Sequence, residues 1–170
     1  PWQRTDTPDE SRRLDRAAAL TVERLRAAGT DAAVVSQRLN RRRIDLVPGL
    51  AEAREIAMEA AQAVGLADPR VTSDAKHVEI GLTDKADSSR WAFAELARRG
   101  VGPRLVLIAG DEFGTLGGLP GSDSYLLVPE AARATVVSVG AEPTGTPAGT
   151  LALGGGPPRF LDVLADQLER

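Results

Sequence analysis

Leu14, Ala18, Val22 and Leu25 recur on one face of a run that opens at Thr7-Pro8-Asp9-Glu10 and closes at Gly29. The spacing predicts an amphipathic helix over residues 8–28. Thr7 is placed to cap it, Pro8 suits the first turn, and Glu10 completes a capping box. Ala32 to Leu39 then reads as a strand, Asn40-Arg41-Arg42 as a turn, and Arg43-Ile44-Asp45-Leu46-Val47 as a second strand alternating polar with apolar. Together these predict a β-hairpin, broken at Pro48-Gly49. Leu50, Ala53, Ile56, Ala57, Ala60 and Val64 form the stripe of a second helix over 50–64. Residues 70–82 read as a third strand, with Val78 and Ile80 on one face and His77 and Glu79 on the other.

After a turn at Asp84-Lys85-Ala86-Asp87, a helix is expected from about Ser88 to Arg99, packing through Trp91, Leu96 and its alanines. Leu105 to Ala109 is an unbroken apolar run, too short for a helix and suited to a strand buried on both faces. It ends at Gly110, and Asp111 and Glu112 follow at once. Residues 114–123 are a glycine-rich loop; 125–128 and 135–139 read as strands; 140–158 is rich in Gly and Pro. Phe160, Leu161, Leu164 and Leu168 predict an amphipathic C-terminal helix. The order of elements points to two parts. Residues 1–80 read as an α+β unit, a small antiparallel sheet covered by two helices. Residues 81–170 read as α/β, with parallel strands.

Composition narrows the chemistry. A net charge of −3 offers no general attraction to nucleic acid or an anionic membrane. There is no cysteine and one histidine, so thiolate sites, His-ligated metal and a Ser-His-Asp triad have little to build on. No apolar run reaches the ~20 residues of a membrane span, and no signal peptide is visible; a cytoplasmic protein is the expectation. Abundant Ala, Arg and Gly suggest a bacterial source. The opening Pro1-Trp2-Gln3 reads as a piece of something longer.

Ligands of open α/β sheets sit beyond the C-terminal ends of the strands, which places Asp111 and Glu112 at a mouth. In a right-handed βαβ unit, Lys85 would open onto the same edge. An ammonium can hold phosphate as a point charge, and hard carboxylates can hold Mg²⁺. Lys85 before a helix, then a hydrophobic strand ending Gly110-Asp111-Glu112-Phe113-Gly114-Thr115, resembles the second half of a haloacid-dehalogenase-like (HAD) phosphatase. His77-Val78-Glu79-Ile80 with Asp84-Lys85 is similar to the cap-to-core crossing of the sugar-phosphatase branch that includes trehalose-6-phosphate phosphatases. Val136 to Gly140, Thr146-Pro147-Ala148 and Phe160-Leu161 resemble that branch's C-terminal end.

The resemblance implies a partial Rossmannoid parallel sheet with an α+β cap domain. It implies Mg²⁺ held by Asp111, Glu112 and Thr115, phosphate held by Lys85, and a small-molecule sugar phosphate as substrate. Lys76 and Glu79 of the cap would contact sugar hydroxyls, with Arg42 of the hairpin beside them.

Three departures matter. No Asp-x-Asp, the family's nucleophile motif, occurs in the 170 residues, so this chain alone is expected to be inactive in covalent phosphoryl transfer. Thr115 stands where the motif's last acid would be, with Asp123 as a substitute further on. Asp87 puts a negative charge near the phosphate position. Without the family's first core strand, residues 105–109 would be an unpaired edge, to be covered by the remainder of a longer chain or by a homodimer. The alternative is a non-catalytic phosphatase-like module that binds a ligand or regulates a partner or fused enzyme. The arginine-rich hairpin, Arg38 with Arg41–Arg43, could read phosphate, touch nucleic acid or simply be solvated. Its lack of aromatic residues removes any platform for base stacking, and a nucleic-acid partner is not expected.

Overall fold

The computed structural model describes residues 4–38, 40–74, 76–116, 119–140 and 146–169. The chain divides into two compact units, Pro1–Asp84 and Lys85–Arg170.

The first unit begins with helix α1 (Pro8–Ala27). Thr7 caps it with both halves of the expected box present, and the bond from Thr7 N helps hold the Glu10 carboxyl below its ordinary value. Strands β1 (Asp31–Arg38) and β2 (Arg41–Val47) form the hairpin, followed by α2 (Ala53–Ala63). Leu39, which the sequence reading placed at the end of the first strand, lies outside the described residues. The expected single strand over 70–82 is two antiparallel strands, β3 (Arg70–Ser73) and β4 (His77–Gly81). The reason is Asp74: its Oδ1 accepts from the backbone N–H groups of Lys76 and His77, at 2.7 Å each, and closes a tight turn. The sheet order is β1-β2-β4-β3, antiparallel throughout. Both helices pack on one face of it. Leu14, Leu25, Ile44, Val78 and Ile80 are fully buried in the core between them. Alternation leaves His77 and Glu79 on the opposite face, as the pattern predicts.

The second unit opens on helix α3 (Lys85–Arg98), which starts at Lys85 rather than Ser88. Phe93 and Ser89 are its buried residues, whereas Trp91 is 42 % exposed, contrary to the expected packing face. Strand β5 (Leu107–Gly110) is shorter than the apolar run, because Pro103–Leu105 turns as a 3-10 segment. It is not buried on both faces: Leu107 is 49 % exposed, and Leu105, in the turn before it, 79 %. The glycine-rich loop is a small hairpin, β6 (Thr115–Leu116) with β7 (Leu119–Pro120), whose Gly117 and Gly118 lie outside the described residues.

Residues 125–128 form no strand. Ser122–Leu126 is a 3-10 turn in which Leu127 N bonds to Ser124 O, and Pro129 then starts another. Local i→i+3 bonds take the backbone groups a strand would have needed. Strand β8 (Thr135–Ser138) pairs parallel with both β5 and β9 (Leu151–Ala152), the latter inside the Gly/Pro-rich segment, whose residues 141–145 lie outside the described residues. Within this three-stranded sheet β5 has one neighbour. Helix α4 (Gly156–Leu168) forms as expected, but Leu161, Leu164 and Leu168 are exposed rather than packed.

Candidate active site at the end of β5

The parallel strand β5 ends at Gly110 and delivers Asp111 and Glu112 into a turn that the backbone of residues 121–123 closes. Gly121 N bonds to Gly114 O, and Asp123 N bonds to Glu112 O. The approach is so close that a Cβ on Gly121 would collide with Glu112 O, and one on Gly110 with the Asp123 carboxylate. Asp123 is therefore the centre of the turn. Its Oδ2 accepts from Asp111 N at 2.8 Å and Glu112 N at 3.0 Å, and its Oδ1 from Lys85 Nζ at 2.6 Å. Burial alone would raise the Asp123 pKa. The Lys85 ammonium and the two backbone donors outweigh that and hold it below the ordinary carboxylate value.

Lys85 reaches the cluster from the first turn of α3. Its Nζ also bonds to Ser122 Oγ at 2.7 Å, and Ser122 Oγ in turn donates to Glu112 Oε2 at 2.6 Å. Lys85, Ser122, Asp123, Glu112 and Asp111 thus form one continuous polar network. The network brings together three residues expected at a site, Lys85, Asp111 and Glu112, but not by the expected route. β4, which precedes Lys85, belongs to the antiparallel sheet of the first unit, so no βαβ crossover links it to β5. The connection runs through Ser122 and Asp123 instead. Ser122 had no signal in the sequence, and Asp123 showed only as an acid in a glycine-rich stretch.

Thr115 lies outside this network. It is exposed, and its backbone pairs with Pro120 in the β6–β7 hairpin. Asp87 is not a bare charge beside Lys85, since Arg90 lies 3.7 Å from it. Asp111 is exposed, and Glu112 is partly so.

Among the described residues, no three acidic or imidazole side chains converge as a metal cage. Both Asp123 oxygens are taken by N–H donors. The available hard donors are the Asp111 carboxylate and Glu112, which match the one or two carboxylates with which Mg²⁺ is commonly held while it keeps several waters.

The expected cap residues fall in the first unit. Arg42 is on the helix-covered face, 4 % exposed. Its Nε bonds to Asp15 at 2.5 Å, and its other nitrogens bond to Ser11 Oγ, Arg38 O and Arg41 O. This is a buried brace between β2 and α1, and it takes Arg42 off the open face where a ligand contact was expected. Glu79 is on that open face, paired with Arg41 Nη1 at 3.2 Å. Lys76 is exposed in the β3–β4 turn. His77 lies between Asp74 (3.1 Å) and Asp45 (3.3 Å). Burial opposes ionisation of Asp74, but hydrogen bonds from Lys76 N and His77 outweigh it and lower its pKa.

No family model and no curated protein matches the sequence. Solved structures do match. An N-terminally truncated, IMP-bound IMP-nucleotidase of Plasmodium falciparum aligns with a TM-score of 0.52 at 11 % identity, over 98 % of this chain and 40 % of its own. An IMP-bound mutant of the same enzyme aligns with a TM-score of 0.52 at 12 % identity, over 98 % of this chain and 39 % of its own. The sucrose-phosphatase of Synechocystis sp. PCC6803, in complex with sucrose and phosphate, gives 0.54 at 16 % identity, over 90 % of this chain and 64 % of its own. The chain spans less than two thirds of the length of each. These neighbours are HAD-fold phosphatases, and the chain shares their mixed α/β fold, with one parallel and one larger antiparallel sheet.

Proposed function

We propose that this chain is the cap and C-terminal core portion of a HAD-like, Mg²⁺-dependent sugar-phosphate phosphohydrolase. The observation that carries the reading is Lys85 Nζ, fixed at 2.6 Å from Asp123 and 2.7 Å from Ser122 beside Glu112, where β5 ends. A cation held by a buried carboxylate is positioned without rotamer search and can receive a phosphoryl oxygen. Asp111 and Glu112 would hold the metal, which when bound neutralises phosphoryl charge. Asp123 keeps the Asp111-Glu112 backbone and Lys85 in register. The sequence holds no Asp-x-Asp, so on this reading the family's aspartyl nucleophile would be supplied from outside these residues.

The edge position of β5, with Leu105 and Leu107 exposed, supports a further strand from the remainder of a longer chain as its neighbour. A second copy of this chain is the other candidate.

The test is Mg²⁺-dependent release of phosphate from a panel of sugar phosphates by the natural gene product and its Lys85→Gln form. Turnover that falls at least 100-fold in Lys85→Gln supports the reading. Turnover that ignores Lys85 or Mg²⁺ refutes it. The absence of Asp-x-Asp favours a second reading, a non-catalytic module that binds phosphate-bearing ligands through the same network. Mg²⁺-dependent binding without turnover by the natural gene product would select it.

A further inference from the structure

The four-stranded sheet of the first unit has two edges of unlike kind. β3, at one edge, is four residues long, and so short an edge offers little to pair with. β1, at the other, is eight residues long and among the described residues pairs only with β2. Half of its backbone N–H and C=O groups point away from β2. The strand holds no proline and no lysine, and Ala32 to Gln37 carry no charge. Ala33 and Val35 are exposed. A long, uncharged edge of this kind is open to the addition of a further strand.

The charges of β1 sit at its two ends and are opposite in sign. Asp31 is exposed, and Arg26 Nε stands 4.0 Å from it, at the outer limit of an ion pair. The Arg38 guanidinium makes no hydrogen bond or ion pair among the described residues. On a regular strand, side chains an odd number of residues apart point to opposite faces, and Asp31 and Arg38 would be separated. A β-bulge changes that. Val34 pairs with Ile44 and Ser36 with Arg43, so Val35 is an extra residue. The phase reverses beyond it. Asp31, Ala33, Ser36 and Arg38 therefore share the open face, opposite Val47, Asp45, Arg43 and Arg41.

From this we infer that β1 pairs antiparallel with β1 of a second copy of this chain, about a twofold axis at Val34, joining the two four-stranded sheets into one. Asp31 of each copy then stands opposite Arg38 of the other, Ala32 opposite Gln37, Ala33 opposite Ser36, and Val34 opposite its own counterpart. The bulge is what puts each of these pairs on a common face. Opposite charges directly across a strand pair stabilise it, and like charges there destabilise it. Parallel pairing in register would set Asp31 against Asp31 and Arg38 against Arg38. The end charges thus select an antiparallel second copy, and the edge is complementary to itself. The surface lies wholly within the first unit, is separate from the β5 edge and does not rest on the phosphatase reading.

The test is analytical ultracentrifugation of the 170-residue chain carrying Leu107→Lys, which keeps the β5 edge out of the comparison. This chain should dimerise reversibly. Arg38→Asp and Asp31→Arg, each added to it, should weaken the dimer at least tenfold, because each sets like charges face to face at both ends. Mixing these two variants should restore a dimer within about threefold of the starting affinity, since every end then meets its opposite. The double variant, with the two charges exchanged, should do the same. Both side chains are exposed and neither has a partner closer than 4.0 Å among the described residues, so the substitutions leave the fold intact, as circular dichroism would verify. Three results would overturn the inference: a chain that stays monomeric, which leaves the edge to a strand of another polypeptide; a dimer indifferent to both single substitutions; or single variants that do not pair with each other when mixed.

Discussion

Asp123 has three hydrogen-bonded neighbours, Lys85, Asp111 and Glu112, and its carboxylate is spent on organising them. Truncation in Asp123→Ala leaves Asp111 N and Glu112 N without their acceptor and releases Lys85. The expected loss is about 2–3 kcal/mol of stability, measurable by urea denaturation. The pH dependence follows from its lowered pKa. A carboxyl whose folded pKa lies below its ordinary 3.8 contributes stability that is fully present above that value. That contribution is lost as the pH falls through the folded value. Between about pH 5 and about pH 2 the wild-type chain should therefore lose stability more steeply than Asp123→Asn, in which no proton is taken up at this position. Gly110→Ala tests the same turn sterically. Gly110 needs no left-handed backbone; the new methyl simply meets the Asp123 carboxylate, with an expected cost of about 1–3 kcal/mol.

At the scale of elements, the two arginines adjacent in β2 separate by function because strand residues alternate. Arg42 is a buried brace to α1, and Arg41 is a surface ion pair with Glu79. Asp15→Ala, which strands a buried guanidinium, should cost about 3 kcal/mol in thermal or urea unfolding, and Arg41→Gln less than about 1 kcal/mol. Which arginine faced inward was hidden in a run of three. The flanking Ile44 and Leu46 gave the phase of the strand, but a fully satisfied buried arginine mimics an apolar residue and breaks the pattern. The helix from Thr7 and the hairpin were legible because capping chemistry and alternation are local. The 3-10 turn over Ser122–Leu126 was not, since the Tyr125-Leu126-Leu127-Val128 run that overlaps its end is as apolar as a strand. Lys85, Asp111 and Glu112 were legible as chemistry through their motif. Asp123 was obscured because the β6–β7 hairpin separates it by eleven residues from the backbone it holds. The exposed edge of β5 makes its own prediction: Leu107→Lys should reduce any self-association of this chain seen by analytical ultracentrifugation, without lowering its stability.

For the whole molecule, the fold of phosphatases and the chemistry of a phosphatase are separate claims. The fold is shared with nucleotidase and sucrose-phosphatase structures at 11–16 % identity. None of the helices among the described residues is long and apolar enough to cross a membrane. The proposed chemistry rests on five residues, Lys85, Asp111, Glu112, Ser122 and Asp123, in a chain that covers 64 % or less of those neighbours. The measurement that bears on it most directly is calorimetric titration of the 170-residue chain with inorganic phosphate, with and without Mg²⁺. Mg²⁺ should enhance phosphate binding, and binding should fall at least tenfold in both Lys85→Gln and Asp111→Asn. Phosphate binding that is absent, or that survives both substitutions unchanged, would contradict the proposed chemistry.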